Sequence, residues 1–122
     1  MPRHPFVLRL SYNIDRTERK DDRMRIILDD HRPLPEDGPY NCVRSYSECI
    51  FLLRNFHTIR YISLDYDLDE EETGLDVLKY MVENGNEVQH LNIHSTHSYG
   101  VPIMEEYARQ HFPNTKITLR HL

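Results

Sequence analysis

The 122-residue sequence has no tryptophan, two cysteines and four glycines. Cys42 and Cys49 are too few for a disulfide framework and lack the spacing of a zinc site. They read as reduced thiols packed like small hydrophobes. No internal repeat or low-complexity tract is present, and no apolar run approaches the length that spans a bilayer. The first residues lack the apolar h-region and small-residue cleavage site of a signal peptide, so a cytoplasmic location is expected. Nor is there a basic excess. A net charge of −5 excludes a broad cationic face for duplex DNA, but not a nucleic-acid end or a free nucleotide held through a metal.

What is there is an alternation of short apolar strands and amphipathic helices, in a chain of one-domain size. Residues 1–23 form an N-terminal extension. Their 16–23 run is almost wholly charged and reads as solvated, whereas Leu8, Leu10, Tyr12 and Ile14 alternate as an added edge strand would. Met24 is a plausible alternative start. From there the pattern predicts strands at 25–28, 41–44, 60–64, 88–93 and 116–120. Helices are expected from Ser45 to about Phe56, after Gly74 to about Asn84, and from about Pro102 to Phe112. Strands alternating with helices imply a mostly parallel α/β sheet of order 2-1-3-4-5, with its helices on one face. The alternation of Ile62 and Leu64 with Tyr61 and Ser63, and of Leu91 and Ile93 with Asn92, leaves the other face without helical cover. Residues 1–23, a second copy of the chain in a homodimer, or water would cover it.

Three strands end in chemistry: Asp29 and Asp30, Asp65 and Asp67, His94 and Ser95. Aspartate is a poor strand residue, and ligands of open α/β sheets sit outside the carboxyl ends of strands. Carboxylates crowded there call for a compensating cation, and oxygen donors suit Mg²⁺, Mn²⁺ or Ca²⁺. His94 could receive phosphate or act as a general acid, and Ser95 could donate to a phosphoryl oxygen. His97 borders the same end, while Arg32 and Arg120 are candidate phosphate clamps. The Glu70–Glu72 run reads as a solvated face, and Thr73 with Gly74 as a helix start. The letters His94-Ser95-Thr96 match one half of a two-histidine phosphoesterase signature, but no second copy exists.

Taken together, Ile27-Leu28-Asp29-Asp30 with Arg32 and Pro35, Val43-Arg44-Ser45, Ile62 to Leu68, Thr73-Gly74 with Asp76-Val77, and His94-Ser95 with Gly100 and Met104 resemble a receiver domain. More narrowly, they resemble the cyclic-phosphate-processing receivers (cREC). The likeness covers residues 24 to about 110. It implies a flavodoxin-like receiver fold for residues 24–122 and a Mg²⁺ or Mn²⁺ ion on Asp29 or Asp30 with Asp65. It also implies action on cyclic-phosphate nucleotides or RNA ends. Asp65 stands where ordinary receivers accept phosphate, so a stand-alone phosphoacceptor is one alternative reading and a non-catalytic cyclic-nucleotide sensor another. The chain departs from the pattern in three ways. Arg120 is the nearest cation to the place of the receiver's strand-five lysine, the helices after strands one and five are missing, and position 97 is histidine where asparagine is expected.

Overall fold

A computed structural model describes residues 24–31 and 40–120. The expectations for residues 1–23 and for Arg32 fall outside them. The elements run β1 (Arg25–Leu28), β2 (Asn41–Val43), α1 (Tyr46–Asn55), β3 (Thr58–Leu64), α2 (Gly74–Asn84), β4 (Glu87–Ile93), α3 (Gly100–His111) and β5 (Lys116–Leu119). The sheet is parallel throughout, in the order β2-β1-β3-β4-β5, as the alternation of elements required. No described helix is long and apolar enough to cross a membrane.

The three helices pack side by side on one face, α1 on α2 and α2 on α3. Beneath them Leu28, Leu64, Ile93 and Leu119 form one cross-strand row, and Ile26, Ile62, Leu91 and Ile117 another. Leu52, Leu53, Val77, Leu78, Met81, Met104 and Ala108 close the core from the helices, each without solvent contact. Burying side chains of this size supplies about 1.5–3 kcal/mol apiece, the main force holding helices to sheet. Cys49 is fully buried in this layer, and burial pushes its thiol pKa far up. Cys42, expected to be packed as well, is exposed because it lies on the other face of edge strand β2.

Helix starts follow local chemistry. The Ser45 hydroxyl accepts the Glu48 N–H (3.2 Å), and Glu48 reaches back to the Arg44 N–H (2.7 Å). Glu70 is more than a solvated acid: its carboxylate accepts the Tyr46 N–H across 24 residues (2.8 Å), where negative charge favours a helix N-terminus. Thr73 and Asp76 form a full capping box on α2, and Gly85 closes that helix with φ 76°. Helix α3 begins at Gly100, two residues before the expected Pro102. Tyr99 offers no capping side chain there; instead the His97 ring accepts the Gly100 N–H (2.9 Å).

The second sheet face is more deeply buried than its polar letters suggest. Ile27, Ser63, Asn92 and Thr118 line up across β1, β3, β4 and β5, and Ser63 and Asn92 are 0% and 3% exposed. Beside them His90 meets the edge of the Tyr61 ring and the Thr118 hydroxyl. Desolvation, then the Lys116 and Arg120 charges, hold its pKa below 6.5. The unfolded chain therefore takes up a proton as pH falls through about 6.5, where the folded chain does not. Stability is expected to be level above that pH and to fall below it until the lowered folded pKa is reached. Urea melts between pH 5 and 7.5 should show a shallower slope for His90→Gln than for the parent.

Candidate metal and phosphate site

The carboxyl ends of β1, β3 and β4 lie side by side because Leu28, Leu64 and Ile93 are register partners. The next residue of each strand is thereby brought together: Asp29, Asp65 and His94. One ligand atom from each lies within 4.8 Å of the others, and all three residues are buried. Asp29 also groups with Asp30 and His31 in the same way, the latter two being half-buried and exposed. Two carboxylates held out of water at this separation repel, and a divalent cation would offset that cost. Two oxygens and an imidazole nitrogen fit Mn²⁺, and fit Mg²⁺ if water or phosphate completes its shell.

A pocket of about 550 Å³ opens in front of these residues, lined by Asp30, His31, Asp65, Asp67, Asp69, Ser95, Thr96 and His97. Asp65 is thus the buried carboxylate that also faces the opening. Asp67 lines the pocket but joins neither ligand group; its Oδ1 accepts the Asp69 N–H (3.0 Å) in a turn that holds Asp69 at φ 58°. Ser95 accepts the His97 N–H (3.1 Å), which leaves its own hydrogen free to donate. Because His97 Nδ1 accepts the Gly100 N–H, its proton sits on Nε2. Tyr66 packs against the His97 ring, and no side chain fits at Gly100, where a Cβ would strike the Tyr66 ring.

Two sequence expectations change here. His94 is not on the pocket lining: it is 1% exposed, with Nε2 on Asp29 Oδ2 (2.9 Å) and Nδ1 on Ser63 Oγ (2.7 Å). It lies behind the carboxylates instead of facing a substrate. Asp29, His94 and Ser63 reproduce the pairing of a serine-hydrolase triad, but a hydroxyl with no solvent contact is no nucleophile. Arg120 lines a separate cavity of about 130 Å³ with Ile93, Ser95, Val101 and Leu119, touching the acidic pocket only through Ser95. Among the described residues, a cation close to the acids to which sequence reasoning gave no site role is Arg44, whose guanidinium donates to the Asp29 carbonyl (3.1 Å). On the pocket wall, His31 is held by Asp30 (3.0 Å), and the hydrogen bond and charge of Asp30 raise its pKa.

The model of the cyclic-phosphate processing receiver domain matches residues 24–110. The chain belongs to this family. Comparisons with curated proteins and with solved structures give no match. The parallel 2-1-3-4-5 sheet is receiver-like, in keeping with this match.

Proposed function

We infer that this receiver is a metal-dependent phosphoesterase acting on cyclic phosphates, either nucleotides or RNA ends. The observation that carries the reading is the convergence of Asp29, Asp65 and His94 behind an open pocket that presents Ser95 and His97. A divalent cation, when bound, supplies charge neutralisation and Lewis acidity to a phosphate. Asp29, Asp65 and His94 would hold it, with Asp30 and Asp67 at the pocket wall.

The remaining steps belong to the chain's own groups. Ser95 donates its hydroxyl to a non-bridging oxygen. The neutral His97 ring offers its Nε2–H only as a hydrogen bond to the phosphoryl group. The attacking water therefore supplies both the hydroxyl that bonds to phosphorus and the proton that the leaving oxygen takes, a protonating role that sequence alone gave to His94. The test is a panel of 2′,3′- and 3′,5′-cyclic nucleotides and cyclic-phosphate RNA ends, incubated with Mg²⁺ or Mn²⁺. Ring opening that EDTA abolishes is expected. Confirmed cation binding without turnover on the whole panel would remove the enzyme reading.

The position of Asp65 at the end of β3 favours one competitor, a phosphoacceptor used in signalling. Beryllofluoride separates the two: a lasting adduct on Asp65, with no cyclic phosphate opened, supports the signalling role.

A further inference from the structure

A hydrogen-bonded row, buried from Asp29 to Asn92 and half-buried at Thr118 and His90, crosses the sheet behind the pocket. It runs from Asp29 through His94, Ser63, Asn92 and Thr118 to His90, with successive contacts of 2.9, 2.7, 2.9, 2.6 and 2.9 Å. Most of its polarity is dictated by chemistry. Asn92 Nδ2 faces the Arg120 carbonyl (3.1 Å), which can only accept, so the amide orientation is fixed. Its other N–H therefore donates to Ser63, and its oxygen accepts from Thr118. With that hydrogen committed, Thr118 can only accept from His90, whose ring must carry a proton on Nε2. Only the Ser63–His94 link has a free direction.

That freedom matters at the metal centre. Beside an ionised Asp29, His94 holds its proton on Nε2, and Ser63 donates to Nδ1. To ligate a cation through Nε2, the same neutral ring must carry the proton on Nδ1, and Ser63 must then accept it. Serine can do both, since Asn92 occupies only one of its lone pairs and the neighbouring Tyr61 hydroxyl can take the released hydrogen. Metal-bound histidines as a rule are oriented by a partner on their second nitrogen.

We propose that Ser63, clamped by Asn92, is a positioning residue that orients the His94 ring and lets it exchange tautomers when the site is loaded. The proposal rests on the metal-centre reading above. It is tested by ¹⁵N-histidine NMR of the whole chain, alongside calorimetric titration with Zn²⁺, a diamagnetic probe. In the parent, the His94 proton is expected on Nε2 without metal and on Nδ1 with Zn²⁺. In Ser63→Ala the Asp29 contact keeps the metal-free proton on Nε2, but Nδ1 loses its donor, so its ¹⁵N signal should move and Zn²⁺ binding weaken by about 10–100-fold. Ser63→Cys, nearly isosteric, should shift both in the same direction and covers the case in which the alanine variant does not fold. Thr118→Val removes a hydroxyl two links away and should leave Zn²⁺ affinity within about twofold.

Parent-like ring signals and affinity in both Ser63 variants would overturn the proposal, as would an equal loss in Thr118→Val. If the parent binds no cation, the metal-centre reading fails. The metal-free spectra of parent and variants then still decide whether Ser63 sets the ring.

Discussion

Asp65→Asn is expected to reduce cyclic-phosphate opening to the metal-free background while leaving the fold intact. Asp65 is 7% exposed, belongs to the buried ligand group with Asp29 and His94, and is its only carboxylate on the pocket wall. An amide is a poor ligand for a hard cation, so the variant loses charge and binding together. In the parent, metal at a hundred times its Kd should add about 2.7 kcal/mol of stability. For a domain of this size that corresponds to a rise in Tm of roughly 10–20 °C. The variant should show no such rise. Its metal-free stability should match or exceed the parent's, because one of two crowded carboxylates has been neutralised. Thermal melts with and without Mn²⁺, run beside the turnover assay, check all three points. Activity lost together with metal-free stability would mean that Asp65 is structural.

Gly74→Ala should damage fold and site at once. Gly74 opens α2, and its N–H donates to the Tyr66 carbonyl (2.9 Å), tying the helix to the loop that leaves β3. A Cβ there would strike the Asp65 carbonyl oxygen and approach Met104 Cε to 2.8 Å. The methionine end can yield, but the backbone oxygen next to the central carboxylate cannot. Overpacking of this kind costs about 1–3 kcal/mol or more, and relief requires Asp65 to move. The expected result is a Tm lower by at least several degrees and weaker Mn²⁺ binding in calorimetry. Gly85→Ala is the comparison. It forces a side chain into φ 76° far from the pocket, and should lower stability without touching metal affinity.

The fold was legible because each apolar row of the sheet is written in its strand, and because Ser45, Thr73 and Gly85 punctuate the helices locally. The convergence of Asp29 and Asp65 was legible for a related reason. Asp29 and Asp65 directly follow register-paired leucines, so parallel pairing alone brings them together. What stayed hidden depends on distance or direction. Ser63 and Asn92 look like the outward half of an alternation, and only the three-dimensional row shows that they are buried and bonded. The direction of the His94 ring depends on Ser63, 31 residues away, and the Glu70 cap on a helix 24 residues away. The start of α3 was misplaced because its cap is a histidine ring, not one of the usual capping side chains.

The most direct test is anomalous diffraction from crystals of the parent grown with Mn²⁺. The peak is expected within coordination distance of Asp29 and Asp65, with His94 Nε2 turned from Asp29 toward the ion. An ion bound elsewhere, or none at millimolar Mn²⁺ with the His94–Asp29 contact unchanged, would contradict a cation centre at the ends of β1, β3 and β4.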